Sequence, residues 1–126
     1  MHPELIWSTW LPLNMEVISR SVPEDPGVYQ IRPVGATTAA YIGSATGSNG
    51  LHQRIGQRAH NPLRYLSGFE KRLIQIGLKL EFRFIEAGDA NTALKWEAQL
   101  INDYRLKNDG KLPPGNKQIP NPWIKA

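Results

Sequence analysis

The sequence predicts an α+β domain with the element order β-β-α-α-β-α, its helices packed on a small sheet. Three observations lead there. Short apolar runs with strand-like alternation occur near residues 28–32, 39–43 and 80–85. Between and after them lie longer segments whose apolar residues recur every three or four positions. Glycine, asparagine and proline mark the borders.

Residues 1–26 mix Trp7, Trp10, Leu11 and Leu13 with Pro3, Pro12, Pro23 and Pro26, and read as an irregular arm laid over the core. Pro26-Gly27 is turn chemistry, and the alternating Val28–Arg32 follows as a first strand. A loop containing Gly35 leads to a second strand over Ala39–Gly43, so the pair reads as a hairpin. The polar stretch Ser44–Gly50 is a loop. A helix is expected from Leu51 to His60, where Asn61-Pro62 stops it. Residues 63–77 fit a second helix, with Leu63, Leu66, Leu73 and Ile74 on its apolar side and Gly77 as its C-terminal signal. Leu80–Ile85 is expected to be the third strand. A long helix spans about Asn91–Leu106, with Asn91 as N-cap. The remainder, residues 107–126, is a tail carrying Pro113, Pro114, Pro120 and Pro122.

The 126 residues suit one domain, 1–126, with an ordinary 40% hydrophobic and 21% charged composition. No apolar stretch is long enough to span a membrane, and the N-terminus lacks the basic-then-apolar pattern of a signal peptide, so neither is expected. The absence of cysteine excludes disulfides, a thiolate nucleophile and Cys-based zinc sites, and suits a reducing, cytoplasmic setting. The three histidines, His2, His52 and His60, show no metal-ligand spacing.

The net charge of +4 is unevenly spread. Residues 51–83 carry Arg54, Arg58, Arg64, Lys71, Arg72, Lys79 and Arg83 against Glu70 and Glu81, a net of +5, whereas residues 1–50 net −2. A basic middle third fits a polyanion partner through counterion release, or equally a solvated helical face.

Glu97 is the most informative residue. Ala93, Trp96, Leu100, Ile101 and Tyr104 form one helical stripe, and Glu97 falls inside it. A carboxylate there must snorkel out, pair with a core arginine or hold a cation. Leu51, Ile55 and Ala59 mark the buried side of the first helix, and Arg54 and Arg58 stack one turn apart on an adjacent face, as solvated cations or as phosphate contacts. Tyr29 and Tyr41 sit in Gly27-Val28-Tyr29 and Tyr41-Ile42-Gly43. Strand aromatics are usually packing residues, while the flanking glycines could admit a ligand backbone.

Taken in order, Gly27-Val28-Tyr29, Tyr41-Ile42-Gly43, Leu51-x-x-Arg54, Glu97-x-x-Leu100-Ile101 and Asn116 resemble the GIY-YIG nuclease superfamily over residues 27–117. Val28 replaces the family's isoleucine, and Ser44 stands where relatives often carry lysine, glutamine or another polar residue. The resemblance implies a three-stranded antiparallel sheet flanked by helices, one Mg²⁺ or Mn²⁺, and hydrolysis of DNA phosphodiesters. It assigns Tyr29, Tyr41, Arg54, Glu97 and Asn116 to the site, with Glu97 as the metal ligand. Arg54 would stabilise charge on the phosphate, and Tyr29, helped by nearby positive charge or by Tyr41, would accept the proton of the attacking water. His60 is either an alternative base or a helix-end cap. Arg58, His60, Arg64, Lys71, Arg72 and Lys117 would contact flanking DNA, duplex or branched. A homodimer or a partner protein could supply target choice. The main rival is a non-catalytic nucleic-acid-binding module of the same fold. A phosphate-cradling loop at Gly43–Gly50 is a weaker one, since no lysine lies between residues 43 and 70.

Overall fold

The structure, a computed structural model, describes residues 6–60 and 68–116. Its elements are β1 (Leu11–Pro12), α1 (Met15–Ser21), β2 (Gly27–Pro33), β3 (Tyr41–Ala45), α2 (Gly50–His60), α3 (Gly68–Gln75), β4 (Leu80–Glu86) and α4 (Ala90–Lys107). The strands form one antiparallel sheet in the order β1-β4-β2-β3. The fold is therefore α+β, and its sheet has four strands where three were expected. Among the described residues no helix is long and apolar enough to cross a membrane.

The added elements lie in the segment read as an irregular arm. Its prolines bound structure instead of preventing it: Pro12 ends β1 and Pro23 lies just beyond α1. Asn14 caps α1 by accepting from the Val17 N–H at 2.9 Å, and Ile18 buries the helix against the sheet. The chain from Ser8 to Leu13 runs along the outer side of β4, with Ser8 N–H bonded to the Phe84 carbonyl and Leu13 N–H to that of Leu80. A two-residue edge strand containing proline offers little for another chain to pair with.

Alternation divides the sheet into two faces. Tyr29, Ile31, Ala45, Leu80 and Phe82 pack against Ile18 of α1 and Leu51 and Ile55 of α2. Ile42 of the other face packs with Ala39 and with Ile101 of α4, which lies across β3 and β2. Over β4 that second face carries a ladder of rings and guanidinium groups. Arg83 stands 4.3 Å from the Trp7 ring and 4.7 Å from the Trp10 ring, and Arg32 lies 3.7 Å over Trp10. Arg32 also pairs with Glu81 at 2.6 Å, and Arg83 donates to Gln30 at 2.8 Å. This ladder pins the arm to the sheet.

Two helix ends refine the expectations. Gly77, at φ +91°, closes α3 with bonds from its own N–H to Ile74 and from the Leu78 N–H to Leu73, as its position in the sequence suggests. The N-cap of α4 is Asp89, whose carboxylate accepts from the Thr92 N–H at 2.7 Å, so Asn91 falls inside the helix. Of the helix expected over 63–77, residues 63–67 lie outside the described residues.

Phe82 is fully buried at the centre of the main core. Phe82→Ala should cost about 3–5 kcal/mol in urea denaturation. A loss below about 1 kcal/mol would show that this cluster is not the principal core.

Candidate functional site

The site grows from one close approach. Tyr29 of β2 pairs across the hairpin with Gly43 of β3. A Cβ on residue 43 would lie 2.7 Å from the Tyr41 ring and 2.8 Å from both Cζ and the phenol oxygen of Tyr29. The glycine thus admits the molecule's own tyrosine rings, not a ligand backbone. The rings stand 6.0 Å apart with a 39° tilt. Gly27 is likewise a packing glycine, because a Cβ there would meet the Ile85 carbonyl and the Leu51 side chain.

Arg58 of α2 joins the two phenols. Its Nε donates to the Tyr29 oxygen at 2.7 Å and an Nη donates to the Tyr41 oxygen at 2.8 Å, with the guanidinium 4.2 Å from the Tyr41 ring centroid. Arg58 is only 8% exposed. The expected basic face pairing Arg54 with Arg58 is therefore divided. Leu51, Ile55 and Arg58 follow i, i+4, i+7 spacing, so Arg58 continues the buried stripe while Arg54 remains exposed. A guanidinium on a buried stripe needs acceptors, and the phenols supply them.

Tyr29 is 1% exposed, and burial pushes its phenol well above the ordinary range despite the opposing charges of Arg58 and Arg54. At neutral pH it carries its proton. Its surroundings do not favour the proton-accepting role implied by the resemblance.

Glu97 of α4 reaches the edge strand from the other side. Burial raises its carboxyl above the usual range, while hydrogen bonds from the Ser44 hydroxyl and N–H and the charges of Arg54 and Arg58 pull it back. Glu97 meets Ser44, a partner outside the three readings open for a carboxylate on this stripe, with the arginines acting at longer range. Ser44 follows the second tyrosine motif directly but is not among the expected site residues.

Asn116 grips the same strand. Its amide donates to the Ile42 carbonyl at 2.8 Å and accepts from the Ile42 N–H at 3.0 Å, and Gly115 N–H bonds to the Ala40 carbonyl. Asn116 therefore stands in for a neighbouring strand along the open edge of β3. Among the expected DNA contacts, His60 and Arg72 are exposed and Lys71 is partly so, while Arg64 and Lys117 lie outside the described residues.

Two rival sites fall away. The first N–H groups of α2 are already bonded, Leu51 to the Asp25 carbonyl and His52 to that of Pro23, so Gly43–Gly50 does not form a phosphate cradle. A groove of about 640 Å³ touches Arg58 but is lined mainly by apolar groups such as Leu13, Ala59, Ile74 and Leu78, away from Glu97 and Arg54.

The raised Glu97 carboxyl means that the fold favours its protonated form, so ionisation costs stability above the unfolded-state pKa and nothing well below it. Glu97→Gln should melt higher than the wild type at pH 7, and this advantage should fade as the pH falls through the carboxylate range. A lower melting temperature at pH 7 would make Glu97 a net structural tie to Ser44.

Compared with protein-family models, curated proteins and solved structures, the chain matches none of them.

Proposed function

We propose that this chain is a divalent-metal-dependent endonuclease of GIY-YIG type, hydrolysing DNA phosphodiester bonds at the β3 edge. One observation carries the reading: a desolvated carboxylate, Glu97, is held against Ser44 within electrostatic reach of the exposed Arg54 and of Arg58 with its phenols. A desolvated carboxylate only partly offset by Ser44 and two nearby cations suits a metal and phosphate site better than it suits packing.

The residues fit a metal only in an open form. No group of three His, Asp or Glu side chains able to hold an ion occurs among the described residues. Glu97 would hold Mg²⁺ or Mn²⁺ by a single protein oxygen, with water and substrate phosphate completing the shell. When bound, the ion would supply Lewis-acid neutralisation of the scissile phosphate. Arg54, free to move at the surface, would meet the non-bridging oxygens with its planar fork. Tyr29 stays protonated and anchors the cluster, and Asn116 stiffens the strand that carries Tyr41, Gly43 and Ser44. His60, Lys71 and Arg72 offer further phosphate contacts to a duplex or branched DNA. A cytoplasmic setting accords with the cysteine-free sequence. The burial of Tyr29 favours a second reading, a non-catalytic nucleic-acid-binding module, because it removes the obvious base from the site.

Incubation with supercoiled plasmid separates the two. The wild type should nick it with Mg²⁺ or Mn²⁺ and not with EDTA, and Glu97→Gln or Arg54→Ala should lose about 10²–10³-fold in rate. Cleavage that survives both substitutions would remove the site. DNA binding without cleavage under any divalent ion would establish the binding module.

A further inference from the structure

We infer that Arg58 is a positioning residue that does not touch a bound phosphate and acts on it through Tyr41, whose hydroxyl it orients as a hydrogen-bond donor. For its catalytic consequence this rests on the phosphodiester reading above. The guanidinium has only N–H donors, so each phenol oxygen it meets serves as acceptor, and the phenol's own hydrogen must point elsewhere. The planar fork has no internal torsion, so gripping both oxygens sets their separation as well as their orientation. Tyr29 is sealed beneath Gly43, which makes it the fixed end of the arrangement. Tyr41 is only partly buried, and it carries the arrangement to the surface. The guanidinium stacked on the Tyr41 ring prevents that ring from turning away.

The consequence separates the two arginines of α2. Arg54 is the cation that meets phosphate. Arg58 contributes geometry through the phenols, beside the longer-range effect of its charge on Glu97.

The test uses the full chain with Arg58→Met, Arg58→Lys, Tyr41→Phe and the Arg58→Met/Tyr41→Phe double variant. Each is checked for folding by circular dichroism, and the lysine variant keeps the charge without the fork if the methionine variant fails to fold. Binding to a plain duplex is measured across a salt series, and cleavage is measured at saturating DNA. Arg58→Met and Arg58→Lys should slow saturated cleavage by about 10–100-fold, with duplex affinity within about twofold and the salt slope unchanged. The double variant should be no slower than Arg58→Met, because both substitutions break one device. A salt slope reduced by about one, with weaker binding and an unchanged saturated rate, would show direct phosphate contact and overturn the inference. Independent, multiplying losses would overturn it too. Should the wild type bind DNA without cutting it, the nuclease reading fails by itself. The unchanged salt slope and a non-additive shift in urea midpoint for the pair would still support the clamp, and an additive shift would still refute it.

Discussion

Around the edge strand, the whole arrangement hangs on the space left by one absent Cβ. Because residue 43 is glycine, the Tyr29 ring can cross the face of β3 and bring its oxygen to the side where α2 passes. That places a phenol acceptor under the buried stripe of the helix, where the seventh residue after Leu51 is an arginine rather than an apolar side chain. Without the glycine, the ring would be displaced and a guanidinium would be left buried with a missing partner, a costly state. Backbone, ring and cation thus form one mutually dependent unit.

A different constraint acts from the far side of the same strand. β3 is the sheet's open edge, and its outward groups need partners in place of a fifth strand. Asn116 satisfies Ile42, Gly115 satisfies Ala40, and Glu97 meets Ser44. The first two are neutral and unstrained. The third uses a carboxylate whose charge burial disfavours.

Much of this was legible in the sequence because it rests on short-range rules. The hairpin, the strand over Leu80–Ile85, the α2 boundary at His60 and the Gly77 terminator follow from alternation and turn chemistry. Glu97 announced itself by interrupting an apolar stripe. The rest depended on contacts remote along the chain. α1 hid among prolines because its amphipathic face is only two turns long, and β1 exists only because β4 lies beside it. Arg58 looked like the exposed twin of Arg54, since the phenols that make its burial tolerable come from strands seventeen and twenty-nine residues earlier. Ser44 is marked in the sequence only by following the second motif, and its contact with Glu97 depends on where α4 returns. Gly43 is conspicuous in the sequence, but only the fold shows that the space beside it holds the Tyr29 and Tyr41 rings rather than a ligand backbone.

A divalent ion and a DNA phosphate are proposed to meet at the Glu97–Ser44 edge, within electrostatic reach of Arg54 and Arg58. Paramagnetic broadening of backbone amide signals by Mn²⁺ reads this position directly. With a short uncleavable duplex present, substoichiometric Mn²⁺ should broaden Gly43 and Ser44 first and most strongly, and Glu97→Gln should abolish the effect. Broadening centred elsewhere, or unchanged by Glu97→Gln, would contradict the account.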